Sequence, residues 1–143
     1  MKYVALGDSI TAYRENVKVY FEFLQEQFLR EQKDGMFVTQ MVNSGVKGWK
    51  SSDLLANLES ACLRYDPDIV TVMIGTNDHA IYQGDDLPAV SVAEFEANLT
   101  EIVRTIRSGR SAGGDRHVPK VVLMTPPFIA THTNVAGTKV SQA

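Results

Sequence analysis

The chain has little cysteine, no long apolar run and no strong excess of charge, and each shortage excludes a class of protein. Cys62 is the only cysteine, so no intrachain disulfide can form, which excludes a disulfide-built secreted scaffold. No apolar run approaches the ~20 residues that a membrane-spanning helix needs. The formal net charge of −3 gives no electrostatic argument for nucleic-acid binding.

Two further features are missing: internal repeats and a targeting segment. The sequence contains no low-complexity tract, and its first residues, MKY, run directly into an apolar segment without the regions of a signal peptide. We therefore expect a cytoplasmic location and no membrane partner. With 143 residues, of which 44% are hydrophobic and 22% charged, the chain is predicted to fold as a single domain over residues 1–143.

Short apolar runs alternate with longer helical patterns along the chain. The third and fourth runs are almost entirely apolar, which is typical of parallel strands covered on both faces. The four predicted strands are residues 3–6, 37–42, 69–74 and 120–125.

Three helices are predicted between these strands. The first covers residues 17–33, where apolar residues recur with 3.6 spacing, and the second starts near Ser51, whose hydroxyl suits a helix N-terminus. The third begins with a capping box, in which the Ser91 hydroxyl accepts from the Glu94 amide and the Glu94 carboxylate reaches back. The order β-α-β-α-β-α-β predicts an α/β fold with a parallel sheet and right-handed crossovers. The apolar faces of the three helices consist of Val17, Tyr20, Phe21, Leu24 and Phe28, of Leu54, Leu55, Leu58 and Cys62, and of Phe95, Leu99, Ile102, Val103 and Ile106.

Three polar blocks follow the first three apolar runs, at the places where the strands are expected to end. The blocks are GDSIT at residues 7–11, NSGVKG at residues 43–48 and GTND at residues 75–78. In open α/β sheets, the residues just past the carboxyl ends of the strands carry the chemistry. We therefore expect the three blocks to meet at one edge of the sheet.

Each block offers one group that is suited to acyl transfer. Ser9 has a hydroxyl that becomes a nucleophile when a base accepts its proton. Gly48 has a backbone amide that an oxyanion can approach closely because there is no Cβ, and Gly45 competes with it for this role. Asn77 has a side-chain amide that can donate to a tetrahedral oxyanion. The alternative interpretation is that these residues only shape turns.

Together, the three blocks resemble the SGNH (GDSL-type) hydrolase family of serine esterases, over residues 1–127. The resemblance implies a flavodoxin-like three-layer sandwich with helices on both faces of a parallel sheet, in the strand order 2-1-3-4-5. It also implies hydrolysis of a carboxylic ester (a small acyl ester, an acetylated sugar, a lipid or a thioester) through an acyl-serine intermediate, without a metal or an organic cofactor. Ser9 would be the nucleophile and an oxyanion donor, and Gly48 and Asn77 would be the other two donors. Asp78, next to Asn77, is expected to hold its loop rather than to perform chemistry.

One block of that family is missing from the 143 residues. The family's Asp-x-x-His supplies the base and its orienting acid after a fifth strand, and one more strand-and-helix unit needs roughly 30 residues. Only sixteen residues follow Pro127. We therefore expect a C-terminally incomplete domain whose final strand and helix are absent. Its fourth strand would be covered by a complementary C-terminal fragment or by a homo-oligomer.

The histidines do not replace the missing base, because none has an aspartate in an orienting position. His79 follows the third block and is interpreted as a solvated loop residue. His117 lies in a connector at the opposite end of the sheet, and His132 lies beyond the fourth strand, at the correct edge. Of two other notable residues, Trp49 either lines an acyl pocket or packs its own loop, and Cys62 is expected to be buried and inert.

Two functions of other classes stay open on the sequence alone. A flavodoxin-like sheet can hold a flavin or a nucleotide phosphate at the same strand ends, with residues 8–11 as the phosphate loop. The carboxylate of Asp8 argues against this function because it would repel a phosphate. A relative that has lost its catalytic histidine would bind esters or glycans without hydrolysing them.

Overall fold

The computed structural model describes residues 1–31, 38–82, 85–108, 118–127 and 139–140. In chain order, the elements are β1 (Lys2–Gly7), α1 (Tyr20–Glu31), β2 (Gln40–Gly45), α2 (Ser51–Ala56), α3 (Leu58–Ala61), a 3₁₀ turn (Leu63–Tyr65), β3 (Ile69–Met73), β4 (Ala80–Ile81), α4 (Val92–Arg107), β5 (Lys120–Leu123) and β6 (Lys139–Val140).

A parallel sheet of four strands, in the order β2-β1-β3-β5, forms the centre of the fold. Gly7, the last residue of β1, is level with Gly45 of β2 and with Met73 of β3. The predicted α/β fold is therefore confirmed, and the first four strands follow the predicted order 2-1-3-4, with β5 as the predicted fourth strand. Because the three strands end side by side, the blocks that follow them begin at the same edge of the sheet.

Helices pack on both faces of this sheet, because successive residues of a strand point to opposite faces. Val4 and Leu6 of β1 pack with buried residues of α2, α3 and α4. Tyr3 packs on the other face against Phe21 of α1, with ring centroids 5.9 Å apart, and its hydroxyl is hydrogen-bonded to Thr71 Oγ1 over 2.7 Å. The sandwich of helix, sheet and helix that we predicted is thus formed around two separate apolar clusters.

The start of the first helix differs from the prediction. It begins at Tyr20 rather than at residue 17, because the Val19 amide donates to the Glu22 carboxylate over 2.8 Å and so marks the first turn. Val17 lies before the helix, in a bridge with Arg14, and is exposed. The predicted end of the helix, at residue 33, lies outside the described residues.

The second helix starts at Ser51 as predicted, but Asn57 divides it into α2 and α3. The Asn57 side chain donates to the carbonyl oxygen of Asp53 over 2.9 Å, a local bond that competes with a regular helix. The predicted apolar face is confirmed in its main members, since Leu54, Leu58 and Cys62 are buried. Burial also raises the pKa of the Cys62 thiol to about 12, so the expectation of an inert core cysteine is supported.

The sequence pattern predicted the start of the third helix correctly, but it placed the second strand wrongly. Ser91 accepts from the Glu94 amide over 3.2 Å and caps α4, although the described hydrogen bonds contain only this half of the capping box. The predicted range of the second strand, residues 37–42, was wrong. The strand continues through Asn43 and Ser44 because their side chains find partners, such as the Ala61 carbonyl oxygen at 2.7 Å from Ser44 Oγ.

β5 lies at the outer edge of the four-stranded sheet. Within the described ranges, Val122 is 48% and Leu123 is 54% exposed, so the prediction that this strand is covered on both faces does not hold there. It does hold for β3, whose Val70 and Val72 are buried.

A short antiparallel pair of β4 and β6, which the sequence patterns did not predict, joins Ala80–Ile81 to Lys139–Val140. In the part of the chain that the structure describes, no helix has both the length and the apolar character needed to cross a membrane.

Candidate active site

Ser9 lies in a turn that directly follows β1, and hydrogen bonds fix the backbone on both sides of it. The Asp8 carboxylate accepts from the Ile10 amide over 2.8 Å, and the Asp8 carbonyl oxygen accepts from the Ala12 amide over 3.0 Å. The Arg14 Nε donates to the Ser9 carbonyl oxygen over 2.8 Å. The turn therefore holds the Ser9 backbone through hydrogen bonds of its neighbours, and Ser9 itself is partly exposed.

Asp8 itself is fully buried beneath this turn. Burial raises the pKa of the Asp8 carboxyl, and the hydrogen bond from the Ile10 amide opposes that rise. Since Asp8 already accepts from the Ile10 amide, this amide is not available to a phosphate. The arrangement disfavours residues 8–11 as a phosphate loop.

Two glycines allow the turn after β1 to touch the neighbouring strands. A Cβ atom on Gly45 would lie 2.3 Å from the Ala12 nitrogen, and one on Gly7 would lie 2.3 Å from the Met73 carbonyl oxygen. Both distances are far shorter than a van der Waals contact, and the obstructing atoms belong to the backbone. The absence of a side chain at these positions is therefore what lets β1, β2 and β3 converge at the site.

Replacing Gly45 by alanine is expected to destabilise the protein by about 3 kcal/mol, at the upper end of the cost of overpacking a core. Gly48→Ala is the matched control. Gly48 has a φ of +81°, but its Cβ would meet no atom within 4 Å. This variant should lose only about 1 kcal/mol, from backbone strain. Urea unfolding of both variants measures the difference, and equal losses would contradict the close contact at Gly45.

The same two glycines differ as oxyanion donors. The Gly45 amide donates to Asn43 Oδ1 over 2.9 Å and is therefore already engaged. Gly48 is exposed, and among the residues that the structure describes its amide donates no hydrogen bond. Of the two candidates that the sequence left open, the geometry favours Gly48.

Asn77 contacts the loop that carries Gly48. Its Nδ2 donates to the Trp49 carbonyl oxygen over 2.9 Å. A primary amide has two N–H groups, so this bond fixes the side chain and leaves the second N–H for another acceptor. Trp49 is partly buried against the core and thus packs its loop, one of the two roles considered for it.

Further contacts join the first two blocks. The Val46 amide donates to the Gly7 carbonyl oxygen over 3.0 Å, and Asn43 Nδ2 donates to the Thr11 carbonyl oxygen over 2.8 Å. Ser9 follows Gly7 by two residues. The structure therefore brings the blocks of Ser9, Gly48 and Asn77 together at one sheet edge. Sequence reasoning missed Asn43 as the bridge between the first two blocks, although it lies inside the second.

His79 is not the solvated loop residue that the sequence suggested. It is partly buried, and its Nδ1 lies 2.8 Å from the Gly75 carbonyl oxygen. Because a carbonyl oxygen can only accept, Nδ1 carries the proton in the neutral ring. His117 and His132 lie outside the described residues. In the described part of the chain, no group of three His, Cys, Asp or Glu side chains is arranged to hold a metal ion.

A model of the GDSL-like lipase/acylhydrolase family matches residues 5–141. The chain belongs to the GDSL-like lipase/acylhydrolase family. The resemblance seen in its three polar blocks is therefore confirmed at the level of the family.

Relatives within the GDSL-like family include esterases of known structure. An acetylxylan esterase from Geobacillus stearothermophilus is 33% identical over 95 residues, which cover 63% of this chain and 39% of the relative. A structure of that esterase has a TM-score of 0.70 at 26% identity and covers 94% of this chain and 63% of its own. The lipase/acylhydrolase from Enterococcus faecalis has a TM-score of 0.65 at 26% identity and covers 90% of this chain and 58% of its own.

Two solved forms of the Geobacillus esterase are described as catalytic mutants, one with a serine and one with a histidine replaced by alanine. This GDSL-like chain spans less than two thirds of the length of each of these relatives.

Proposed function

We propose that the protein hydrolyses carboxylic esters through an acyl-serine intermediate, with Ser9 as the nucleophile. The observation that carries the proposal is the bond from Asn77 to the Trp49 carbonyl oxygen, at 2.9 Å. It ties an amide donor to the residue that follows the exposed Gly48, at the sheet edge where the Ser9 turn begins. Membership of the GDSL-like lipase/acylhydrolase family supports the same chemistry.

In the proposed mechanism, Ser9 Oγ attacks the ester carbonyl carbon while a base takes the hydroxyl proton. The carbonyl oxygen becomes an oxyanion, and the Ser9 amide, the Gly48 amide and Asn77 Nδ2 donate to it. Collapse of the tetrahedral intermediate releases the alcohol, which takes up the proton. Water then attacks the acyl-serine by the same path and releases the acid. In this scheme the base comes from an Asp-x-x-His block, which these 143 residues do not contain.

The proposed substrate class is an acyl ester with a small acyl group, and an acetylated sugar is the first one to test. The support comes from the acetylxylan esterase of Geobacillus stearothermophilus, because the similarity to it covers most of this chain. No feature of the described residues favours a flavin or nucleotide site, and the occupied Ile10 amide argues against one.

Asn77→Ala is expected to lower kcat for p-nitrophenyl acetate by roughly 10²–10³, with a smaller effect on KM, because the amide donor acts on the transition state. The assay uses an ester-hydrolysing form of the protein. Asn57→Ala is the matched control, since Asn57 also donates to a backbone carbonyl oxygen but lies between α2 and α3. A change confined to KM would mean that Asn77 only binds substrate or shapes its loop.

A further inference from the structure

A buried polar cluster joins the start of α2 to the third block. Ser51 is fully buried, and Asp78 is 3% exposed. The Ser51 amide donates to both oxygens of the Asp78 carboxylate, over 2.9 and 3.1 Å, and the Ser51 hydroxyl donates to Oδ1 over 2.5 Å. Asn98 of α4 completes the cluster, because its Nδ2 donates to Ser51 Oγ over 3.0 Å.

The direction of these bonds is fixed by the donors available. A hydroxyl has one hydrogen, and the Ser51 hydroxyl gives it to Asp78 and so accepts from Asn98. In the described part of the chain, no Lys or Arg forms an ion pair with Asp78. The carboxylate is thus held by neutral donors from one residue. Removing its charge would weaken several short bonds at once, because bonds to an ionised acceptor are the stronger ones.

The residues of this cluster are close in the chain to the proposed oxyanion donors. Asp78 follows Asn77 in the chain, and Ser51 is the first residue of α2, two residues after Trp49. Two bridges therefore connect the same two loops side by side. The bridge from Asn77 to Trp49 is partly exposed, whereas the bridge from Ser51 to Asp78 is buried.

The Asp78 backbone is also fixed on both sides. Its amide donates to the Gly75 carbonyl oxygen over 3.1 Å, and its own carbonyl oxygen accepts from the Val90 amide over 3.0 Å. Because the Asp78 backbone is held on both sides, the Ser51 bridge anchors the first residue of α2 to the third block. The start of α2 in turn sets the position of the Gly48–Trp49 peptide relative to Asn77.

We propose that Asp78 is a positioning residue, which acts through Ser51 to hold the Gly48 amide and the Asn77 side chain in the geometry of one oxyanion hole. The kinetic part of this inference rests on the proposed function. Its geometric part, namely that Asp78 fixes the Asn77 side chain, does not.

The geometric part is tested on the 143-residue chain by NMR of the Asn77 side-chain amide. In Asp78→Asn, these protons should exchange faster with water than in the unchanged chain, because the Asn77 bond to Trp49 loosens. Asp53→Asn is the matched control. Asp53 caps the same helix by accepting from the Lys50 amide over 2.9 Å, but it does not reach the Asn77 loop. Unchanged exchange in Asp78→Asn, or equal acceleration in both variants, would overturn the inference.

Ser51→Ala provides a second variant in case Asp78→Asn does not fold. It removes the hydroxyl bond to Asp78 and keeps the bond from the Ser51 amide. Its Asn77 protons should also exchange faster than in Asp53→Asn. An exchange rate equal to that of the control would overturn the inference.

The kinetic part uses an ester-hydrolysing form of the protein. Asp78→Asn should lower kcat by about 10-fold to 100-fold, as expected for a misplaced catalytic group, and KM should change little. The double variant with Asn77→Ala should lose less than the product of the two single losses, because both substitutions act on the Asn77 donor. Additive losses would overturn the inference. If no form of the protein hydrolyses esters, the proposed function fails, whereas proton exchange still decides the role of Asp78.

Discussion

In a form of the protein that carries an Asp-x-x-His block, Ser9→Ala is expected to abolish hydrolysis of p-nitrophenyl acetate without unfolding the protein. Removal of a serine nucleophile lowers kcat by roughly 10⁶, which leaves only the background that the oxyanion donors support. The fold should persist because the turn depends on the Asp8 side chain and on backbone groups, none of which the substitution removes. The measurement is the turnover rate, with the urea midpoint as the check on folding.

A fluorophosphonate probe tests the same assignment chemically. It should label Ser9 and leave the Ser9→Ala variant unlabelled. Ser60→Ala is the matched control, because Ser60 is an exposed serine on α3, and its loss should change neither labelling nor turnover. Labelling of another serine, or undiminished turnover in Ser9→Ala, would contradict the assignment. A protein that binds acetylated sugars but is never labelled would be a binding protein rather than an esterase.

The 143-residue chain assayed by itself is expected to turn over esters several orders of magnitude more slowly than a form that carries an Asp-x-x-His block. Without a general base, the Ser9 hydroxyl stays protonated near neutral pH. The p-nitrophenyl acetate assay compares the two forms at equal concentration. Equal activity would contradict the expectation and would give the role of base to His79 or His132.

The edge strand β5 gives a second expectation for the isolated chain, which concerns its association. Together with α4, β5 borders a groove of about 1,090 Å³. Apolar side chains from α4, from β5 and from the residue Val118 before β5 line it: Phe95, Leu99, Val103, Val118 and Leu123. An uncovered strand with apolar side chains invites pairing with another strand. We therefore expect the isolated 143-residue chain to occur with a complementary C-terminal fragment or as an assembly, and not as a 15.8 kDa monomer.

Light scattering measures the mass of the isolated chain. Leu123→Lys places a charge on the exposed edge and should shift the mass towards the monomer. Lys120→Leu is the opposite control and should not reduce association. A monodisperse monomer of the unchanged chain would contradict the prediction.

The sequence predicted the parts of the fold that depend on local pattern. The apolar runs located β1 and β3, and the cap at Ser91 located the start of α4, because burial on a face and capping are read from neighbouring residues. The prediction failed at β2, where Asn43 continues the strand by bonding to a distant carbonyl oxygen, and at Asn57, where a side-chain bond interrupts a helix. Both residues carry polar side chains whose partners only the folded chain reveals.

The candidate site shows the same division. Ser9, Gly48 and Asn77 could be proposed from their positions after apolar runs. The resemblance favoured Gly48 over Gly45, but only the structure shows that the Gly45 amide is already bonded to Asn43 Oδ1. The link from Ser51 to Asp78, which the sequence did not indicate, spans 27 residues. Long-range contacts of this kind depend on the register of the strands, which the local spacing of residues does not determine.

The burial of Cys62 makes thiol chemistry selective in this protein. Its sulfur is shielded from solvent, and its pKa of about 12 leaves almost no thiolate at neutral pH. A maleimide or a disulfide reagent will therefore leave Cys62 unmodified and react with a cysteine introduced at the surface. A Ser9→Cys variant can carry a spectroscopic label at the mouth of the candidate site, and the rate of its modification reports how accessible that turn is, without any cysteine having to be removed first.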